Sequence, residues 1–195
     1  LTNKAIAGQY APGSVFKIVV ALAALEKGIR PDMSVHCEEV LEFGNELFHC
    51  WKKDGHGDMD LIDALRESCD IYFYELAQQL GINRIARMAK RFGLGEVLNL
   101  ELPGERPGLI PTKKWKRKAL RAHWLGGESL INAIGQGYVL TTPLQLAVMT
   151  ARVVNGGYAV VPRLTKLAED ADDPPQKASD FPSIGLSQRS MKLVL

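Results

Sequence analysis

The chain has no apolar run long enough to cross a bilayer. Its longest, Ile18 to Leu25, falls far short of the roughly 20 residues that a helical span needs. No signal peptide opens the sequence, and Leu1 stands where an initiator Met would. An excess of one charge is also missing. The 24 Lys and Arg side chains face 22 Asp and Glu, a formal net charge of +2, so no global field points to nucleic acid or to a membrane surface. Cysteine is scarce: there are 3, an odd number that cannot all pair within one chain, and no C-x2-C knuckle accompanies them. No internal repeat is visible.

What is present suits one domain. A hydrophobic content of 46% over 195 residues is enough for a sizeable core. Both ends have the look of cuts, because the sequence stops within an amphipathic helix begun at Ser187; it reads as an excised piece of a longer protein. Helical spacing dominates. Apolar residues at 15, 16, 18, 19, 20, 22 and 25 predict a helix over Ser14 to Lys27, buried on nearly all sides and closed by Gly28. Further helices are expected at Leu61 to Arg66, Asp70 to Leu80, Asn83 to Phe92, Ser129 to Ile134 and Pro143 to Val154. The convincing strand is Tyr158 to Leu164. The stretch 168–182 is acidic, rich in Pro and poor in apolar residues, and reads as a mobile loop. The class expected is α+β, mainly helical, with residues 1–195 in one domain.

Within GQYAPGSVFKIVV, Ser14 and Lys17 stand three residues apart. On a helix that spacing puts both side chains on one face, about 5–6 Å apart at Cβ. Ser14 would lie in the first turn, where unpaired N–H groups and the helix dipole favour developing negative charge on oxygen. Lys17, enclosed by Phe16, Ile18 and Val20, would be desolvated, which favours the neutral amine that accepts a proton. The plain alternative is a Ser N-cap followed by a Lys reaching the surface. Further on, RESCDIYFYELAQQLG places Ser68 and Asp70 ahead of an aromatic helix, where Asp70 is also a natural N-cap. S-x-x-K after Pro-Gly, followed by S-x-D, makes up two of the three motifs of the active-serine enzymes that react with β-lactams.

With these motifs the sequence resembles class B penicillin-binding proteins, specifically the elongation-type penicillin-binding protein 2 family. YAPGSVFK at Tyr10 to Lys17, FHCWKKDGHG at Phe48 to Gly57, ESCDIYFYELA at Glu67 to Ala77 and INAIGQGYVLTTPLQLA at Ile131 to Ala147 follow that family in order and spacing. The resemblance implies the penicillin-binding protein and β-lactamase-like transpeptidase fold, here mainly its helical part with flanking sheet strands missing. It implies a D,D-transpeptidase that cross-links the D-Ala-D-Ala stem peptides of peptidoglycan and is acylated by β-lactams. It places the protein on the periplasmic face of the bacterial inner membrane, beside elongation-complex membrane proteins reached through regions outside this sequence. Ser14 would be the acylated nucleophile, Lys17 its base, and Ser68 with Asp70 the second motif, Asp70 standing where many relatives have Asn. The family's third motif, K-T-G or K-S-G, occurs nowhere in the chain. It would supply an oxyanion N–H and a carboxylate-binding Lys, so full activity is expected of a longer parent.

Cys37, Cys50, His56 and Cys69 follow the spacing C-x12-C-x5-H-x12-C. Three thiolates and an imidazole fill a tetrahedral zinc shell; one disulfide with a spare thiol and three buried thiols are the other readings. Some relatives carry zinc in this segment, with Asp where Cys37 and Cys50 fall and with His and Cys where His56 and Cys69 fall. A one-residue shift would bring in Glu38, and His36 and His49 are the alternative imidazoles. KKWKRK, Lys113 to Lys118, reads as a solvated face, with phospholipid or anionic glycan as its other possible contact. Trp51, Trp115 and Trp124 read as core or rim packing, and Gly135-Gln136-Gly137 as a tight turn before the Pro143 helix. Two other functions compete: a class D-like β-lactamase or β-lactam sensor, marked by fast hydrolytic deacylation of Ser14, and a zinc-stabilised structural module without chemistry, marked by failure of Ser14 to acylate.

Overall fold

The computed structural model describes residues 2–164 and 176–195. After a short α1 (Lys4–Ala7), a 3₁₀ turn at Gly13–Phe16 runs straight into α2 (Lys17–Lys27). The Ser14 to Lys27 helix thus forms as expected, with a tightened first turn. Gly28 ends it at φ 91°, its N–H returning to the carbonyls of Ala24 and Leu25, a left-handed conformation that glycine adopts without a Cβ penalty. Val19, Val20, Ala21, Leu22 and Ala23 are fully buried, so α2 is the centre of the core.

Four short strands follow: β1 (Val35–Cys37), β2 (Val40–Phe43), β3 (Glu46–His49) and β4 (Gly57–Met59). β2 and β3 form an antiparallel hairpin with Val40 opposite His49, and β1 pairs antiparallel with β4, Cys37 opposite Gly57. Next come α3 (Leu61–Arg66), α4 (Asp70–Leu80), α5 (Ile82–Arg91), α6 (Lys113–Ala119), α7 (Gly126–Ala133) and α8 (Pro143–Val154). The last element, α9 (Gln188–Leu193), is capped by Ser187. α2 packs on α4 and α5, and α4 packs in turn on α7. Hydrophobic residues of α4 such as Tyr72, Phe73, Leu76 and Ala77 are fully buried between these layers.

The expected strand at Tyr158 to Leu164 does not form. Tyr158 makes one isolated bridge to Ser183, and the carbonyl of Val160 is taken by the guanidinium of Arg152 at 3.1 and 3.2 Å. A strand needs a partner ladder for its main-chain groups; a buried arginine has claimed the acceptor here. The expected mobile loop at 168–182 lies partly outside the described residues, and its described end holds a 3₁₀ turn at Ala178–Asp180.

The motif IGQGYVLTTPLQLA explains itself through main-chain contacts. Gly135 has φ +71°, and a Cβ on it would lie 2.1 Å from the carbonyl oxygen of Gly13. Gly13 in turn donates its N–H to the Gly135 carbonyl at 2.9 Å. Tyr10 and Thr141 exchange N–H to O bonds of 2.9 and 2.8 Å, so residues 10–13 are stitched to 135–141. Thr142 and Gln145 form a reciprocal capping box at the start of α8, with Pro143 in its first turn. That box holds the loop in place behind the nucleophile.

Candidate active site

Ser14 is exposed at the mouth of the 3₁₀ turn, whereas Lys17, one turn further, is only 2% exposed. Helix geometry sends the two side chains to one face, as the spacing requires. Their hydroxyl and amine nevertheless meet through a third group instead of directly. Ser68 Oγ donates to Ser14 Oγ at 2.8 Å. Lys17 Nζ donates to Ser68 Oγ at 2.9 Å, to the Ser68 carbonyl at 2.8 Å and to Asp70 Oδ1 at 2.7 Å. An ammonium has three protons, and all three are placed on acceptors. The Lys17 to Asp70 pair is shielded, with side-chain exposures of 2% and 13%. The structure therefore brings Ser14, Lys17, Ser68 and Asp70 into one connected network, with Ser68 at its centre.

Two features of the second motif differ from expectation. Asp70 is the first residue of α4 and does not cap it; the N-cap is Cys69, whose side chain makes no capping bond. The Asp70 carboxylate is committed to Lys17 on one oxygen and accepts the main-chain N–H of Trp51 on the other, at 3.2 Å. Ser68 has φ +54°, a left-handed conformation that costs a residue with a Cβ about 1–2 kcal/mol and persists only when its surroundings over-determine it. The Ser68 carbonyl accepts from Lys17 and from the indole N–H of Trp51 at 3.0 Å.

Trp51 is the functional residue that motif reasoning missed. It is 62% exposed, a rim position, yet its indole N–H also reaches the carbonyl of Glu67 at 3.2 Å. Its partners are main-chain oxygens, which leave no residue-type signature in a sequence. Trp51→Phe keeps the apolar ring and removes the donor. It is expected to lower the rate constant for Ser14 acylation about 2- to 10-fold, the worth of one hydrogen bond, while the concentration for half-saturation barely moves. Pre-steady-state acylation kinetics read both quantities, and an unchanged rate constant would show that the indole N–H holds nothing in place.

Directly behind this network lies the cysteine and histidine cluster. Cys37 ends β1, Cys50 follows β3, His56 precedes β4, and Cys69 sits between Ser68 and Asp70. His56 N–H donates to the Cys37 carbonyl at 3.1 Å, and Cys50 N–H to the Glu39 carbonyl at 2.6 Å. A Cβ at Gly55 would lie 2.0 Å from the Cys37 oxygen, so only glycine lets the two connections close on each other. All three cysteines are free and buried, and one donor atom from each of the four residues lies within 4.8 Å of the others. His36, paired with Asp58 at 2.6 Å, His49 and Glu38 stay outside the cluster.

The donor set fits a tetrahedral zinc ion. Zn–S bonds of about 2.3 Å and Zn–N bonds of about 2.0–2.1 Å imply S···N edges of about 3.5 Å, and His56 Nδ1 lies 3.5 and 3.4 Å from the sulfurs of Cys37 and Cys50. His56 Nε2 is buried without a hydrogen-bond partner among the described residues, and the ring packs edge-on against Trp51 with centroids 5.3 Å apart. The neighbouring Cys69 thiol favours thiolate at Cys50. The Cys50 sulfur beside it, with burial, pushes the Cys69 thiol up.

A hydroxyl on a helical first turn, linked through a second hydroxyl to a buried lysine that is ion-paired to a carboxylate, defines an active-serine acyl-transfer site. The chain belongs to the penicillin binding protein transpeptidase domain family, whose model matches residues 1–184. It is 40% identical over 174 residues to the peptidoglycan D,D-transpeptidase MrdA of Haemophilus influenzae, covering 88% of this chain and 27% of that protein. The crystal structure of Pseudomonas aeruginosa penicillin-binding protein 2 in complex with WCK 5153 superposes with a TM-score of 0.88 at 38% identity, over 99% of this chain and 44% of that one. A complex between penicillin-binding protein 2 and MreC from Helicobacter pylori matches with a TM-score of 0.84 at 32% identity, over 99% of this chain and 34% of that one. The chain thus spans about a quarter to somewhat under half the length of these relatives.

Proposed function

We propose that the chain carries the acylating centre of a peptidoglycan D,D-transpeptidase that is also the target of β-lactams. The observation that carries this reading is the hydrogen-bonded chain from Lys17 through Ser68 to Ser14. In the ammonium state Lys17 donates along it. Once the ammonium has released one proton to solvent the direction reverses: Ser68 donates to Lys17 and accepts from Ser14, and the Ser14 proton moves by way of Ser68 to Lys17 as Oγ attacks the carbonyl of the penultimate D-Ala. The main-chain N–H of Ser14, in the first turn of a helical run, faces the developing oxyanion. The peptide bond breaks, the departing D-Ala amine takes the proton back, and an amine of a neighbouring stem peptide resolves the ester. Asp70 keeps Lys17 in place throughout.

Cys37, Cys50, His56 and Cys69 are proposed to hold one structural zinc. Four protein ligands leave no open coordination position, so the ion supplies cross-linking and takes no part in acyl transfer. Location on the periplasmic face of a bacterial inner membrane, and assembly with membrane proteins of cell elongation, belong to the same proposal. The relative solved with MreC supports the second of these. Among the described residues no helix is long and apolar enough to span a membrane.

Mass spectrometry of the longer parent protein after incubation with a β-lactam tests the function. The expected result is an adduct on the peptide containing Ser14 that persists far longer than a hydrolytic turnover. An adduct elsewhere rejects the assignment, and rapid release of hydrolysed drug makes the site that of a β-lactamase.

A further inference from the structure

Six of the 24 basic residues lie within the short stretch Lys113, Lys114, Lys116, Arg117, Lys118 and Arg121, which contains no acidic residue. The rest of the chain then has 18 basic residues against 22 acidic ones, a net negative molecule bearing one concentrated positive face. The stretch forms α6 and the turn after it, started by Thr112, whose hydroxyl accepts the N–H of Trp115 at 3.0 Å. Lys116 points inward, is 5% exposed and pairs with Glu128. Lys113, Lys114, Arg117, Lys118 and Arg121 all point to solvent, and none of the ion pairs among the described residues involves them. A solvated helix face of ordinary composition interleaves both signs; this one does not.

The face is concave. Lys113, Lys114, Arg117, His123 and Trp124 line a cavity of about 430 Å³. The Trp124 indole is fixed there by donating to Ser129 Oγ at 2.8 Å. A recess with cations on its wall and an aromatic ring at its side suits carboxylates carried on a sugar and peptide strand, with the guanidinium of Arg117 taking a carboxylate in a two-pronged bond and the indole lying against apolar ring faces. A flat lipid surface would leave the recess unfilled.

The same element is tied to the nucleophile. Trp115 and Trp124 pack on Tyr138 with ring centroids at 5.2 and 6.1 Å. Tyr138 belongs to the loop whose Gly135 seats on Gly13. A strand bound at α6 is therefore held by the packed unit that bears Ser14, which raises the local concentration of its stem peptides at the site.

We propose that the α6 face is a second binding site for the carboxylate-bearing peptidoglycan strand, outside the acylation centre; this rests on the proposed transpeptidase function. The test is co-sedimentation of the chain with purified peptidoglycan sacculi at low and high salt, beside anionic phospholipid vesicles and sacculi with amidated carboxylates. The expected result is salt-sensitive binding to native sacculi, weakened at least about tenfold when Lys113, Lys114 and Arg117 are all changed to Glu, with a smaller loss when all three are changed to Gln. Melting temperature and β-lactam labelling of Ser14 are expected to stay unchanged in both variants. Sacculus binding that ignores the substitutions, or that survives amidation of the carboxylates, overturns the proposal. Stronger charge-dependent binding to the vesicles also overturns it, in favour of a lipid contact. Charge-dependent sacculus binding in a longer parent protein whose Ser14 labels with no β-lactam supports this surface while rejecting the transpeptidase reading.

Discussion

Ser14→Ala is expected to abolish covalent labelling by a β-lactam, and Lys17→Ala to slow labelling of Ser14 by about 10²- to 10⁴-fold, the usual contribution of a positioned proton acceptor. The second effect has two physical sources. Without the amine, the proton leaving Ser14 can reach Ser68 and go no further, because the Ser68 hydroxyl has no basic group beyond it. The Asp70 carboxylate also loses its partner while its side chain stays only 13% exposed, and stranding one member of a buried pair costs about 3–5 kcal/mol. Lys17→Ala is thus expected to be less stable as well as slower. Lys17→Met combined with Asp70→Asn separates the two, since it removes the stranded charge along with the base. That double variant is expected to recover much of the stability and none of the rate. Thermal melting and stopped-flow acylation measure the pair of quantities; recovery of the rate in the double variant would remove Lys17 from proton transfer.

The second large effect is expected from metal removal. Protein prepared without chelator should hold one zinc per chain by elemental analysis, and a strong chelator should lower the melting temperature by about 10 °C or more. Structural zinc bound by four ligands is worth about 10 kcal/mol or more, and in a chain of this size each kcal/mol moves the midpoint by about 2–4 °C. Cys69→Ser should reproduce the loss and should also slow labelling of Ser14. Cys69 is the link between Ser68 and Asp70, so releasing it frees the strained Ser68 conformation at φ +54° that aims both the hydroxyl and the carbonyl. A buried thiol without a metal would cost packing alone. Absence of metal, or a disulfide between Cys37 and Cys50, rejects the site.

The parts of this molecule that were readable from sequence are those whose signal is local. α2, α4 and α8 announce themselves by apolar periodicity and by punctuation at Gly28, Gly81 and Pro143. α6 carries no apolar periodicity, because Trp115 is its one large apolar residue and its helical character rests on the Thr112 cap and on the inward Lys116. The strands β1 to β4 have three or four residues each, too few for alternation to emerge. The two serines of the site are 54 positions apart, so their meeting is a product of α2 packing on α4 and was legible through family resemblance alone. The same resemblance aligned the four metal-ligand candidates, which the fold brings together. The insertion of Ser68 between Lys17 and Ser14 and the grip of Trp51 on main-chain oxygens depend on backbone direction, which residue types do not encode.

Under the proposed function, the enclosure of α2 also governs where heritable drug resistance can arise. Phe16 and the residues from Val19 to Leu22 are packed to zero exposure around the lysine, and close-packed interiors accept few changes of volume without loss of stability. If Ser14 is the acylated residue, as proposed, selection under an inhibitor finds little tolerated variation along the helix that carries the reacting groups. Substitutions that survive will gather at exposed positions such as Val15, beside the nucleophile, where they leave the proton path as it is.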